Sequence, residues 1–236
     1  MRAMILAAGR GERMRPLTDH CPKPLLKVAG KPLLVYHIEK LVAMGIELIV
    51  INHAWLGEKI EQTIGDGAQW GIEICYSAEC AGGLETAGGI IQALPLLGDE
   101  PFLVINGDIW TDFDFSHLLP DLVLNSPECL AHLVLVDNPA HHPEGDFGLQ
   151  TTAPYWMLND AQLRYTFSGI GLYRSEFFIG LAKGRLPLAP ILREKIAQQQ
   201  ITAEHYAGQW TDVGTPERLA KLEQELEQTL VSKNNE

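Results

Sequence analysis

The sequence is poor in the features that mark a secreted, membrane-spanning or nucleic-acid-binding protein. Its 236 residues include only four cysteines, Cys21, Cys75, Cys80 and Cys129. None forms a CxxC pair and no spacing suits a zinc finger, so four reduced thiols in or near the core are expected, as in a cytosolic chain. No apolar run approaches the roughly 20 residues that a membrane helix needs. The opening MRAMILAAGRGERMR starts apolar but lacks a secretory-type cleavage site. It reads as a first strand, and a cytoplasmic protein is expected. Basic residues are scarce, with 18 Lys and Arg against 30 Asp and Glu and a formal net charge of −12. Such a surface repels polymeric nucleic acid, so a polyphosphate site would have to be locally positive or recruit metal ions. No internal repeat or linker interrupts the chain, and one domain spanning 1–236 is expected.

What the sequence does have is a repeating order of elements. Ala3–Ala8, Glu47–Asn52, Ile72–Ser77 and Pro101–Ile105 read as buried strands, and Pro32–Met44, Trp55–Ile64 and Thr86–Leu94 as helices between them. This alternation implies an α/β fold with right-handed crossovers and a mainly parallel central sheet carrying helices on both faces. Ligands in such sheets lie beyond the carboxyl ends of the strands. Three polar clusters fall there, Gly9–Arg15, Ser77–Thr86 and Asn106–Asp108, and they point to one site. The second half is less regular. Strands are expected at Ala131–Val136, Phe147–Gln150 and Tyr165–Tyr173, a loop at Asn138–Gly145, a helix at Leu188–Gln199 and a short strand or turn at Trp210–Gly214. A terminal helix is expected over Pro216–Thr229 with Thr215 as its cap, followed by a frayed Ser232–Glu236.

The segment LAAGRGERMRPL, Leu6–Leu17, follows the first strand. Its glycines allow backbone N–H groups to approach a phosphate, and Arg13, Arg15 and Lys23 could neutralise one. It lacks the third glycine of a dinucleotide fingerprint and the GK[ST] of a Walker loop. Extended to LAAGRGERMRPLT and PKPLLKVAGKPLL, the string resembles the signature of the sugar-phosphate nucleotidyltransferases. That resemblance covers Met4 to about Gly214 and implies a Rossmann-like fold with an added sugar-binding region. The nucleotide part would be mainly 1–115 and the sugar part mainly 116–214, with a C-terminal helix and tail at 215–236. Ala7, Ala8, Gly9, Gly11, Glu12 and Arg13 then resemble the nucleotide loop, and Lys23 resembles the lysine that contacts the phosphates. ECAGGLETAGG, Glu79–Gly89, resembles the base-reading segment, with Gly83 and Thr86 near base and ribose and Glu85 where many relatives have glycine.

Asp108 closes a strand in the crevice, where a hard cation fits. Mg²⁺ usually takes only one or two carboxylates besides substrate phosphates. The resemblance supplies Asp212, in WTDVGTPE, as the second ligand. Asp112 and Asp114, alternating with aromatics in TDFDF, read as exposed carboxylates on an edge strand or turn, with a metal pair as the alternative. His141 and His142 are adjacent, so on an extended chain they face opposite ways and do not suggest zinc. INHAWLG, NGDIWTDFDF and LVLVDNPAHHPEGDF are similar to the subgroup that uridylylates N-acetylmuramate-1-phosphate in cell-wall recycling. This implies UTP and a sugar-1-phosphate as substrates, with Asn106, Asp146 and Ser168 at the sugar. His141, His142, Arg164 or Arg174 would face its lactyl carboxylate. A guanylyl- or thymidylyltransferase differs only in the base and sugar pockets. A non-catalytic nucleotide sensor would lack some of these phosphate and metal groups. No hexapeptide repeat suggests a fused acetyltransferase.

Overall fold

The computed structural model describes residues 1–233. In chain order its strands are β1 (Arg2–Leu6), β2 (Lys27–Val28), β3 (Lys31–Pro32), β4 (Leu48–His53), β5 (Glu73–Ala78), β6 (Phe102–Asn106) and β7 (Ile109–Thr111). They continue with β8 (Ala131–Val136), β9 (Gly148–Leu149), β10 (Met157–Leu158), β11 (Thr166–Tyr173), β12 (Ile201–Tyr206) and β13 (Trp210–Asp212). The helices are α1 (Leu33–Ala43), α2 (Gly57–Ile64), α3 (Glu85–Leu97), α4 (Pro120–Val123), α5 (Leu188–Ala197) and α6 (Pro216–Lys233). Of the tail expected to fray, Ser232 and Lys233 are helical and the rest lies outside the described residues.

Seven strands form one sheet in the order β12-β8-β11-β6-β1-β4-β5. Neighbours are parallel except along β11, which pairs antiparallel with both β6 and β8. Alternation along each strand sorts the core into two layers. Ala3, Ile5, Ile49, Ile51, Leu103 and Ile105 face Leu34, Ile38 and Leu41 of α1 and Ile60 and Ile64 of α2. Met4, Val50, Phe102, Val104, Leu133 and Ala203 face Ile90, Ala93 and Leu97 of α3 and Ile191 and Ile196 of α5. Strands buried on both faces read as continuous apolar runs, which is why the sequence marks them clearly.

Three features differ from the sequence reading. β12 was not expected, and it extends the sheet at the edge beyond β8. β7 and β13 form a separate antiparallel ribbon in which Asp212 pairs with Ile109. Of the thiols, Cys129 is buried and Cys21 and Cys75 are partly so, but Cys80 is exposed, so the expectation of four thiols in or near the core fails there. Asp114 caps a short 3₁₀ turn by accepting from the Ser116 N–H, and Asp112 is exposed and accepts from the Tyr206 hydroxyl. Thr215 accepts from the Arg218 N–H at the start of α6.

Candidate active site

The carboxyl ends of β1, β4, β5 and β6 open on one cleft of about 330 Å³. Ala7, Ala8, Gly9, Lys23, Gly83, Thr86, Asn106 and Asp108 all line it. A Cβ built on Gly9 meets no protein atom, so the chain there is open to a ligand. Gly11 adopts φ +68 and turns the chain into a 3₁₀ turn at Glu12–Met14. A connected recess of about 200 Å³ is lined by Gly9, Gly11, Glu12, Arg13, Lys23, Asp108 and Gly214. Arg13 is exposed at its wall. Arg15 is occupied elsewhere, 3.2 Å from both Glu12 and Asp19. Arg10 lies 3.7 Å over the Trp55 ring and donates to the Thr18 carbonyl.

Lys23 is only 8% exposed, and its Nζ donates to Asp108 Oδ2 at 2.6 Å. A lysine buried this deeply needs a partner, and here the partner is the strand-end carboxylate. Gly107 is tight against β1, its N–H bonded to the Leu6 carbonyl, and a Cβ there would lie 2.7 Å from that oxygen. The β7–β13 ribbon then brings Asp212 beside the same centre, because the Val213 N–H donates to the Asp108 carbonyl. Asp212 Oδ2 accepts from Arg218 Nη1 at 2.8 Å. Two carboxylates, Asp108 in the turn between β6 and β7 and Asp212 at the end of β13, each holding a side-chain cation, are a donor set that suits a hard divalent ion. Among the described residues no group of three or more His, Cys, Asp or Glu side chains converges. An ion here would complete its shell with substrate phosphates and water.

The ribbon is fixed from behind by α1. His37 Nε2 bonds to the Ile109 carbonyl, and Lys40 Nζ donates to the Thr111 and Phe113 carbonyls. Complete burial pushes the His37 pKa down to about 4, so its ring is neutral and Nε2–H is the donor. Burial also lowers the Lys40 pKa, opposed by Asp112 and Asp114.

The base-reading segment is framed by two residues absent from the sequence-derived site. Asn52 is the penultimate residue of β4, with its Oδ1 accepting from the Ala7 N–H, and its Nδ2 donates to Glu79 Oε1 at 2.6 Å. Glu79 Oε2 accepts from the Leu84 N–H at 2.7 Å. Phosphate loop and base segment are thereby joined through two side chains. The signal was an asparagine closing an otherwise apolar run. Glu85 takes φ +60 and is ion-paired with Arg185 at 2.8 Å.

The sugar-side residues are less convergent. Asn106 packs against Gly169, where φ is +82 and a Cβ would lie 2.4 Å from Asn106 Nδ2. Ser168 is 1% exposed, and its hydroxyl donates to the Val134 carbonyl and accepts from the Ile170 N–H. It supports the irregularity in β11 and does not line the cleft. Asp146 accepts from the Phe167 N–H and from His142 Nε2 at 3.0 Å. His141 reaches Arg218. The expectation for Arg174 is corrected, because its guanidinium is bound to the Cys129 and Leu124 carbonyls and supports the β8–β11 edge. Arg164 lies 3.8 Å from the exposed Asp160.

Residues 2–154 match the family model described as "Nucleotidyl transferase". The chain is 52% identical to an N-acetylmuramate alpha-1-phosphate uridylyltransferase of Neisseria meningitidis serogroup B, over 94% of this chain and 97% of that protein. It is 31% identical to the Caulobacter vibrioides protein of the same name, over 95% and 96%. A presumptive glucose-1-phosphate thymidylyltransferase from Bacillus anthracis, solved with sucrose, superposes with a TM-score of 0.81 at 23% identity, covering 95% of this chain and 94% of that one. At that identity the likeness speaks for the fold alone, a nucleotidyltransferase sheet with helices on both faces. No described helix is long and apolar enough to cross a membrane. With its phosphate loop, its strand-end carboxylate and the family match on the same residues, the chain belongs to the nucleotidyl transferase family.

Proposed function

We propose that the protein transfers UMP from UTP to N-acetylmuramate alpha-1-phosphate, giving UDP-N-acetylmuramate and pyrophosphate, with Mg²⁺ as cofactor and in the cytoplasm. The product suits cell-wall recycling. The observation that carries this reading is the 52% identity with the Neisseria uridylyltransferase over nearly the full length of both chains. It is supported by a cleft that offers a phosphate loop, a buried lysine and the Asp108 carboxylate, with Asp212 held next to it on the β7–β13 ribbon.

An oxygen of the sugar phosphate attacks the α-phosphorus, and the bond to pyrophosphate breaks in line. The phosphate monoester is already anionic near neutral pH, so no general base is required. The protein supplies alignment and charge neutralisation. A divalent ion held by Asp108 and Asp212 would neutralise phosphate oxygens of the donor. Lys23 brings a desolvated positive charge to the phosphates, where it is worth more than in water. Arg13, at the wall of the recess, faces the leaving pyrophosphate. The Asn52–Glu79 pair holds the Gly83–Leu84 turn in place for the base.

The test is a pyrophosphate-release screen crossing four nucleoside triphosphates with several sugar-1-phosphates. UTP with N-acetylmuramate-1-phosphate is expected to be the fastest pair. A clear preference for GTP with mannose-1-phosphate would overturn the substrate assignment and leave family membership standing.

A further inference from the structure

Arg218 has no part in the machinery described so far, yet it is built into the same centre. It lies in the first turn of α6, where the positive end of the helix opposes a cation, so helix stability does not favour it there. Its side chain is 18% exposed. Nη1 donates to Asp212 Oδ2 at 2.8 Å and to His141 Nε2 at 2.6 Å, the latter with the ring presenting its lone pair at Nε2. The guanidinium passes directly over Gly214, where a Cβ would lie 2.1 Å from Nη2. Only glycine leaves that path open. Gly214 also lines the recess that holds Arg13, Lys23 and Asp108. Arg218 therefore stands between the phosphate recess and the Asn138–Gly145 loop that carries His141.

The charges in this centre balance in a particular way. Each candidate metal carboxylate is held by one largely buried cation, Asp108 by Lys23 and Asp212 by Arg218. A divalent ion brings the same two positive charges as those side chains. With both carboxylates given to the ion, Lys23 and Arg218 each lose a partner. An unpaired buried cation is costly, so each then favours an incoming anion. Lys23 lines the nucleotide cleft. Arg218 reaches the opposite side through His141.

We propose that Arg218 is the acceptor-binding cation of this enzyme. Its guanidinium leaves Asp212 when the carboxylate takes the metal, and it pairs, with His141 alongside, with an anionic oxygen group of the sugar phosphate. The planar fork suits a two-point contact with phosphate or carboxylate. The inference rests on the sugar-1-phosphate acceptor proposed above. That acceptor carries two such groups, the 1-phosphate and the lactyl carboxylate.

The experiment compares wild type with Arg218→Gln and Arg218→Lys. It uses UTP with either N-acetylmuramate-1-phosphate or N-acetylglucosamine-1-phosphate, and it follows Mn²⁺ binding to the UTP complex by electron paramagnetic resonance, without turnover. In Arg218→Gln the acceptor KM should rise about tenfold or more, as for a lost charged hydrogen bond, while the UTP KM moves by less than about threefold. Mn²⁺ should bind the variant as tightly as wild type or more tightly, because the competing cation is gone. Arg218→Lys should recover part of the acceptor affinity. An equal loss with both sugars assigns the 1-phosphate as partner. A loss confined to the muramate sugar assigns the lactyl carboxylate. An unchanged acceptor KM overturns the proposal. So does a parallel loss of Mn²⁺ and acceptor binding, which would make Arg218 only a brace for Asp212. If wild type rejects the muramate sugar but uses another sugar phosphate, the substrate reading fails and the Arg218 variants are scored on that sugar.

Discussion

Lys23 and Asp108 are separated by 85 positions in sequence and by 2.6 Å in space. Each was legible separately, Lys23 from the PKP string and Asp108 from its place after an apolar strand. Their pairing was not, because no spacing rule links a loop after the first strand to the end of another. Arg218 was illegible for a different reason. In an amphipathic helix an arginine reads as a solvated surface charge, and only the glycine beneath it marks a built position. Two predictions belong at this scale. Lys23→Met keeps the buried stem and removes the charge, so turnover should fall by about 10²- to 10³-fold, as when one transition-state donor is lost. Pyrophosphate release checks this, and unchanged turnover would make Lys23 a structural partner of Asp108 alone. Asp108→Asn and Asp212→Asn should each raise the barrier by about 3 kcal/mol or more. Calorimetric titration should show weakened Mg²⁺ binding to the UTP complex in both. Two folded variants with normal Mg²⁺ binding would remove these residues from the metal site.

The elements that hold these residues differ in how openly the sequence declares them. The parallel strands β1, β4, β5 and β6 are apolar runs closed by polar clusters, so they and the convergence of their ends could be read directly. The β7–β13 ribbon has three residues per strand, too few for any period to appear, yet it is what sets Asp212 beside Asp108. β12 was missed because Ile201–Tyr206 carries Thr, Glu and His among its apolar residues, as befits the edge strand of the sheet, bridged on its outer side only at Tyr155–Trp156. The ribbon depends on α1 through His37 and Lys40, and this gives a pH dependence. The His37 pKa is about 4 in the folded protein and near 6.5 when unfolded. Between those values the unfolded state binds more protons, so stability falls as pH drops from about 6.5 to 4 and is unaffected by this group above 6.5. The Tm of wild type should decline over that window, and His37→Gln, which cannot titrate, should decline less. Parallel Tm curves would exclude His37 as a source. On the other side of the sheet, a Cβ at Gly89 would lie 2.5 Å from Glu79 Oε1 and 2.8 Å from Asn52 Nδ2. Gly89→Ala should therefore split that pair, raise the UTP KM and lower stability by about 1–3 kcal/mol. Chemical denaturation together with UTP titration would detect both effects.

Over the whole molecule, a net charge of −12 surrounds a cleft whose useful charges are positive, and every acceptor proposed for it is an anion. Attraction must come from the cations at the centre, Arg10, Arg13, Lys23 and Arg218, and from the divalent ion proposed above, and not from the surface field. The sheet organises this by joining two halves. β6 ends at the phosphate side, and β11, running against its neighbours, carries the irregularity at Ser168–Ile170 on which Asn106 packs. Beyond it lie Asp146, His142 and the loop bearing His141, whose ring touches Arg218, so the acceptor proposed above would lie against the His141–Arg218 pair. N-acetylmuramate-1-phosphate and N-acetylglucosamine-1-phosphate differ only by the lactyl ether and its carboxylate. If Arg218 takes that carboxylate on leaving Asp212, the plain sugar leaves the cation unpaired, and such sites reject the lacking analogue strongly. The ratio of kcat/KM for the two sugars with UTP should therefore favour the muramate by roughly a hundredfold or more. The preference should shrink as salt rises only if the carboxylate stays solvated, since buried pairs are poorly screened. A ratio near unity at every salt concentration would mean that the loop and Arg218 read the phosphate and the ring, leaving the lactyl group in water.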